Sequence, residues 1–145
     1  MRIAVLSDTH DRLPPDLPGR LAGADEIWHL GDVCNPTTLL GLEALGLPLK
    51  VILGNCDSSS DWPLILKLRR GGTAFHLEHI PPRVAPRGCD VVLHGHTHVP
   101  RDEVDERGVR WLNPGCITRP NRGAPASFGW LTFDKSGFTW KLERL

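Results

Sequence analysis

Short apolar runs, each ended by polar or glycine residues, divide the first third of the chain. These runs cover residues 3–6, 26–30 and 49–53, and their lengths are typical of buried strands. A helix interrupted by proline is expected over residues 14–22. Asn35-Pro36 is typical of a helix start, so a second helix is expected over residues 37–45. This alternation of strand and helix predicts a parallel sheet of the α/β class.

The rest of the chain predicts more strands and almost no helix. Strands are expected over residues 64–68, 73–78 and 90–93, and hairpins follow from Arg101 onward. The hairpins turn at residues 106–108 and 134–137, where glycine and charged residues cluster. No linker, charge block or long repeat interrupts the pattern, and the length suits one domain spanning residues 1–145.

Composition narrows the class of protein. Apolar residues make up 40% and charged residues 23%, as in ordinary globular proteins. Lys plus Arg equals Asp plus Glu at 17 each, so we expect no nucleic acid polymer as a partner, and the exposed arginines are interpreted as scattered surface charge. No run approaches the roughly 20 apolar residues of a membrane helix. We expect a cytoplasmic protein with four reduced cysteines and no membrane partner.

Polar residues of metal-binding type follow five of the predicted strands. They are Asp8 and His10, Asp32, Asn55, His79, and finally His96 and His98. Ligands of open α/β sheets bind beyond the carboxyl ends of the strands, so we expect these side chains to converge. Singly, each has a structural explanation, such as a helix cap at Asp8 or a turn at Asn55. Five strand ends together favour a site for manganese, iron, zinc or nickel.

A carboxylate is expected to bridge two cations in such a site. Divalent ions about 3.5–4 Å apart repel each other strongly, so a shared negative ligand is needed. Asp32 lies midway through the series and follows Gly31, which permits close backbone approach. A cation pair of this kind can activate water and clamp both ends of an in-line phosphoryl displacement.

The same residues carry a family resemblance. The motifs are Asp8-x-His10, Gly31-Asp32, Gly54-Asn55-Cys56-Asp57, His79, Gly95-His96-Thr97-His98 and Asn113-Pro114-Gly115. In this order they resemble the calcineurin-like metallophosphoesterases, and within them the small prokaryotic YfcE-like phosphodiesterases, over residues 2–117. The resemblance implies a four-layer α-β-β-α sandwich of two mixed sheets. It also implies a dinuclear metal site at the C-terminal ends of the strands.

The resemblance also implies roles for individual residues. One cation would be held by Asp8, His10, Asp32 and His98, and the other by Asp32, Asn55, His79 and His96. The candidate catalytic residues are Asp32, Asn55, Asp57 and His98. A hydroxide shared by two divalent ions, manganese or else nickel, iron or zinc, would attack a small phosphoester. The alternative is a non-catalytic scaffold of the same fold, like the retromer subunit.

Position 56 departs from many members of the superfamily. They have a histidine after the motif asparagine, which can protonate the leaving oxygen, whereas this chain and its subgroup have Cys56. A neutral thiol is a poor acid for that step. We therefore expect a preference for good leaving groups, such as aryl phosphodiesters.

The segment after His79 departs from the pattern as well. His79 is preceded by His76, which would point to the opposite face of the strand, so His79 is the preferred ligand. Residues 80–89 contain three prolines and are too few for a helical crossover, so an extended strap is expected there. We expect the sheet face near Val91 and Leu93 to be thinly covered, by a second subunit or by Trp62. His94 is interpreted as a pocket-wall residue and His29 as a sheet residue.

Overall fold

Every predicted strand is present in the computed structural model, which describes residues 1–59 and 61–145. The strands are β1 (Arg2–Leu6), β2 (Glu26–His29), β3 (Leu49–Val51), β4 (Ile65–Arg70), β5 (Thr73–Glu78), β6 (Val91–Leu93), β7 (Arg101–Val104), β8 (Arg110–Asn113), β9 (Ser127–Asp134) and β10 (Gly137–Arg144). The helices are α1 (Leu17–Arg20), a 3-10 turn (Pro36–Leu39) and α2 (Leu40–Glu43), which continues that turn.

Both helices are shorter than expected. The helix predicted over residues 14–22 is reduced to the four residues of α1, a segment that contains Pro18 and Gly19. The second helical segment starts where predicted, because the Asn35 side chain accepts a hydrogen bond from the Thr37 amide at 3.0 Å. No helix among the described residues is long and apolar enough to cross a membrane.

The strands form two mixed sheets of similar design. The first has the order β10-β9-β1-β2-β3 and the second the order β4-β5-β6-β8-β7. In each sheet three neighbouring strands run parallel, namely β1, β2 and β3 in the first and β5, β6 and β8 in the second. Their carboxyl ends therefore meet at a common edge of each sheet.

A layer of apolar side chains holds the two sheets together, and we call it the central layer. Its fully or almost fully buried members are Ile3, Val5, Trp28, Leu30, Ile52, Phe75, Leu77, Val91, Leu93, Leu112 and Leu131. On β1, Ile3 and Val5 face this layer, whereas Ala4 and Leu6 face the outer side of the first sheet, where the helices pack. This period of two is the alternation that a strand imposes on its side chains.

The outer faces of the sheets are covered unequally. The first carries α1, the 3-10 turn and α2 over a large apolar cluster. The second carries only a small cluster of Ala85, Val92, Val109 and Trp111, with residues 80–89 as an extended strap. The strap contains no helix, as predicted. The α/β class with two mixed sheets is confirmed, and the fourth layer is this strap instead of a helix.

Two expectations about this face are wrong. Val91 and Leu93 are not thinly covered, because both point into the central layer, and Val92 between them faces outward. Val92 is itself buried beneath the strap, so no further cover is needed there. Trp62 packs against the outer cluster of the first sheet, on the other side of the molecule. The prediction that a second subunit packs against this face stays untested.

Candidate metal centre

The loops after β1, β2, β3, β5 and β6 bring the predicted ligands together. Asp8 occupies the middle of the cluster. Its Oδ1 lies 3.1 Å from His98 Nε2, 3.7 Å from His10 Nε2 and 3.9 Å from His79 Nε2. Asp8 Oδ1 is nevertheless buried without a hydrogen-bond partner. A buried carboxylate oxygen left in this way is costly unless a cation compensates it.

Asp32 lies between the same imidazoles. Its Oδ2 is 3.3 Å from His79 Nε2 and 3.7 Å from His10 Nε2. Its Oδ1 accepts a hydrogen bond from the Cys56 amide at 2.9 Å, which ties the loop after β2 to the loop after β3. Each of the two carboxylates thus approaches histidines on both sides of the cluster.

Asn55 and His96 complete the exposed side of the cluster. Asn55 Oδ1 lies 3.1 Å from His79 Nε2 and 2.9 Å from His96 Nδ1. The rings of His79 and His96 meet edge to face, with their centroids 5.4 Å apart. The structure therefore gathers all seven predicted ligands. Among these seven ligands, two triads have ligand atoms close enough to share one ion, namely Asp8 with His10 and His98, and Asp8 with Asp32 and His79.

Hydrogen bonds to the backbone orient two of the rings. His79 Nδ1 donates to the Leu30 carbonyl at 2.7 Å, and His98 Nδ1 donates to the Arg119 carbonyl at 2.6 Å. The proton then resides on Nδ1, and the lone pair of Nε2 faces the carboxylates. Metal-binding histidines are typically held in this manner. The donor set of carboxylate, imidazole and amide groups therefore fits divalent cations.

The backbone of the cluster is unusual. Among the residues that the structure describes, eight non-glycine residues have positive φ angles, and five of them are predicted ligands: Asp8, His10, Asp32, His96 and His98. This conformation is unfavourable for side chains with a Cβ, and it concentrates at functional sites. Gly31 is needed for the same packing, because a Cβ there would lie 2.8 Å from the Gly54 backbone and 2.9 Å from His79 Nδ1.

Burial and charge move the pKa values of the two carboxyl groups in opposite directions. Burial raises the pKa of Asp8 above its ordinary value, against the weaker effects of Ser7 and the histidines. Burial also opposes ionisation of Asp32, but the adjacent His79 and the hydrogen bond from the Cys56 amide hold the pKa of Asp32 well below its usual range. Asp32 is therefore ionised, and Asp8 is the group that most needs a cation.

The pKa values of two of the histidines also shift in opposite directions. Burial lowers the pKa of His10. The pKa of His79 is raised, because its contacts with Asp32 and Asp8 outweigh the effect of burial. The cysteine after Asn55 stays a neutral thiol, since burial and the neighbouring Asp32 raise the pKa of Cys56.

Asp57 is placed to shape the loops. Its Oδ2 accepts hydrogen bonds from the Asp32 amide at 2.8 Å and the Gly54 amide at 2.7 Å, and its Oδ1 accepts one from the Cys34 amide at 2.7 Å. Both oxygens are thus occupied by backbone groups. We describe Asp57 as a positioning residue, not as a group that touches the reacting atoms.

The other three histidines lie where they were expected. His94 is buried beside Trp111 at the edge of the cluster, and burial lowers its pKa to about 4. His29 is buried in β2 with its Nε2 3.1 Å from Thr9 Oγ1. His76 lies outside the cluster, with its Nε2 2.8 Å from Glu78.

Two contributing side chains were not identified from the sequence. Ser7 Oγ donates a hydrogen bond to Asp8 Oδ2, and Cys34 Sγ lies 3.6 Å from His10 Nδ1. Both stand next to or near motif residues, but neither belongs to a metal-binding pattern that could reveal it. The four cysteines are free, as expected.

Two clefts border the cluster on either side of Pro81. One has a volume of about 560 Å³ and runs from Asn55 and His79 along Leu53, Leu64 and Ile80. The other, of about 500 Å³, has a mixed polar and apolar lining that includes His94, His96, Val99, Arg101, Glu103 and Arg122. The first cleft therefore offers an apolar surface next to Asn55 and His79.

Comparison with known proteins identifies the family. Residues 1–136 match the calcineurin-like phosphoesterase superfamily domain. The chain is 32% identical to the phosphodiesterase YfcE of Escherichia coli strain K12, covering 92% of this chain and 89% of that protein. It is 30% identical to the probable metallophosphoesterase YsnB of Bacillus subtilis strain 168, covering 96% and 88%.

Solved structures share the fold. The Escherichia coli phosphoesterase YfcE superimposes with a TM-score of 0.79 at 27% identity, over 92% of this chain and 90% of that one. Vps29 from Entamoeba histolytica, in complex with zinc, has a TM-score of 0.79 at 22% identity over 100% and 98%, which shows the fold alone. From its ordered motifs, its two mixed sheets and these matches, we conclude that the chain belongs to the calcineurin-like phosphoesterase superfamily.

Proposed function

We propose that this protein is a metal-dependent phosphodiesterase that acts on a small phosphoester, with manganese as the favoured cation. The observation that carries the proposal is Asp8 Oδ1, a buried carboxylate oxygen with no hydrogen-bond partner and three imidazole nitrogens within 3.9 Å. A cation bound by this oxygen and the nearby imidazole nitrogens would compensate the buried charge.

The proposed ligand sets use all seven residues. Asp8, His10, Asp32 and His98 would hold one divalent ion, and Asp32, Asn55, His79 and His96 would hold the other. Asp32 is the proposed bridge, and its Oδ2 lies within 3.7 Å of a histidine of each set. When bound, two divalent ions supply activation of water at neutral pH and compensation of the charge on the phosphoryl oxygens.

The chain's own groups prepare this reaction. The carbonyls of Leu30 and Arg119 keep the Nε2 lone pairs of His79 and His98 directed inward. Asp57 fixes the loops that carry Asp32 and Asn55. Because these positions are set by backbone hydrogen bonds before any ligand arrives, little reorganisation is needed during the reaction.

The leaving group is the part of the substrate that the site assists least. Cys56 stands where many superfamily members have an acidic histidine, and the raised pKa of its thiol keeps it a weak acid. Leu53, Leu64 and Ile80 line the adjoining cleft, so an aryl group finds an apolar surface there. We therefore propose aryl phosphodiesters as the preferred substrate type.

The test compares chromogenic aryl diesters with alkyl diesters on manganese-loaded protein, together with metal analysis. We expect a clear preference for the aryl diester. Cys56→His should raise the alkyl rate relative to the aryl rate by about tenfold or more, since general acids contribute about 10²–10⁴-fold. Cys89→Ser, a thiol change in the strap, is the matched control. Equal turnover of both esters by the unaltered protein would reject the leaving-group proposal.

The non-catalytic scaffold remains the alternative, and the same experiment separates the two. A scaffold would turn over neither ester even when loaded with metal, because Vps29, which shares the fold, also carries zinc. A nuclease acting on long polymers is not favoured. Arg70, on β4, forms an ion pair of 2.9 Å with Glu26, on β2, so its charge is already compensated within the chain. Cytoplasmic location and self-association stay predictions.

A further inference from the structure

We propose that His10, Cys34 and Cys56 form a second, distinct site that binds a thiophilic divalent cation such as zinc or cadmium. We call these three residues the thiol corner. One ligand atom from each lies within 4.8 Å of the other two. His10 Nδ1 is 3.6 Å from Cys34 Sγ. That separation matches one edge of a tetrahedral site with Zn–S of about 2.3 Å and Zn–N of about 2.0–2.1 Å.

The ligand chemistry separates the thiol corner from the carboxylate centre. The centre offers oxygen and nitrogen atoms, which suit manganese and similar ions. The thiol corner offers two sulfur atoms and one nitrogen, which soft ions prefer. The two sites therefore select different cations although they share a residue.

Both cysteines are held in place by the backbone. The Cys34 amide donates to Asp57 Oδ1 at 2.7 Å, and the Cys56 amide donates to Asp32 Oδ1 at 2.9 Å. Cys34 has a φ of 69°, so it shares the unfavourable backbone conformation of the ligand residues. The two thiols are thus fixed by the same carboxylates that shape the centre.

Access and charge also suit a cation. Cys56 is exposed and Cys34 is half-buried, so an ion can enter from solvent. Burial, and with it the negative charge of Asp11, Asp57 and Asp32, raises the pKa of the Cys34 thiol to about 11. The same negative charge attracts a cation to the corner, and the cation that binds displaces the thiol protons to solvent.

His10 couples the two sites. Its Nδ1 faces the thiol corner, and its Nε2 lies 3.7 Å from both Asp8 Oδ1 and Asp32 Oδ2. A neutral imidazole has only one nitrogen free to bind. Both nitrogens can bind at once only if the ring gives up its remaining proton to solvent. A cation in the thiol corner therefore competes with the carboxylate centre for His10.

The first experiment titrates Cd²⁺ into metal-free, thiol-reduced protein and follows the sulfur-to-cadmium charge-transfer absorption, which oxygen and nitrogen ligands do not produce. We expect a saturable band. Cys34→Ser and Cys56→Ser should each weaken the affinity for Cd²⁺ by at least about 10–100-fold, the loss that even outer-shell changes cause. Cys89→Ser, a half-buried thiol that donates to the Pro86 carbonyl, is the control and should match the unaltered protein.

An unchanged band in the Cys34→Ser/Cys56→Ser double variant, or an equal loss in Cys89→Ser, would overturn the site. Because Cys56 is exposed, its serine variant folds even if the Cys34 variant does not. A second experiment follows free Mn²⁺ by electron paramagnetic resonance while Cd²⁺ is added. Release of Mn²⁺ that depends on Cys34 and Cys56 is expected, and its absence would refute the coupling through His10. A protein without esterase activity that still shows the band would reject the proposed phosphodiesterase and retain the thiol corner.

Discussion

The central layer and the candidate metal centre adjoin along β1 and follow opposite rules. Ile3 and Val5 enter an apolar layer with ordinary backbone geometry, whereas Asp8, just beyond the strand, carries a buried orphan oxygen and a positive φ angle. The first region stabilises the metal-free fold and the second weakens it. The difference shows that the stability of the layer sustains the unfavourable geometry of the centre.

The largest effect should come from Asp32→Asn, which removes charge from the centre and leaves the central layer intact. We expect kcat/KM for an aryl phosphodiester to fall by more than the about 10²–10³-fold caused by losing one charge-stabilising donor. Steady-state kinetics with excess Mn²⁺ measures this. Urea unfolding of the same variant should stay cooperative. Retained turnover would reject Asp32 as the bridge.

Next is a change in the central layer that leaves the centre intact. Phe75→Ala should lower the free energy of unfolding by about 3–5 kcal/mol, because it opens a cavity between the sheets where Trp28, Phe133 and Phe138 contact the ring. Denaturant unfolding gives the value. Val84→Ala, at a side chain 65% exposed on the strap, is the control and should change little. Similar losses in both variants would contradict the packing described.

The pH dependence should reveal buried histidines at the border of the two regions. The pKa of His94 is about 4 in the folded chain, against about 6.5 when unfolded. The unfolded state therefore binds the proton first, and stability falls as pH drops from about 6.5 to 4, by up to about 3 kcal/mol for this residue.

His79 acts in the opposite direction, because its pKa is raised and its protonation favours the folded state. The measurement that isolates His94 is the difference in unfolding free energy between the metal-free protein and His94→Gln. That difference should change between pH 6.5 and 4 and stay constant above pH 7. A difference that does not vary with pH would mean that His94 has the same pKa in the folded and unfolded states.

The smallest effect is a gain in stability. Asp8→Asn should raise the unfolding free energy of the metal-free protein by about 1–2 kcal/mol, because it removes a buried, uncompensated charge. Metal binding, measured by calorimetry, should weaken in the same variant. A loss of stability without metal would contradict the description of Asp8 Oδ1 as a buried oxygen without a compensating partner.

The strands and the ligand types were predictable from short stretches of the chain. The period-two pattern of β1 and the apolar run of β6 were visible along the sequence, and so were the polar residues that follow them. Which face of β6 points into the central layer was not predictable. Alternation determines which residues share a face, but it does not determine which face is buried more deeply. For that reason the expectation of thin cover at Val91 and Leu93 was wrong.

The extended strap could be predicted, because three prolines rule out a helix in so short a connection. The short length of α1 was less clear, since the number of helical residues depends on packing as well as on propensity.

Short patterns along the sequence thus determined the strands, the order of the possible ligands and the family that they resemble. These features depend on residue type and spacing over only a few positions. Folding in three dimensions decided which oxygen is left without a partner, that Asp57 serves the backbone, and that Cys34 and Cys56 meet His10. Those contacts join residues distant in sequence, and no local pattern encodes a distance between loops that only sheet packing brings together.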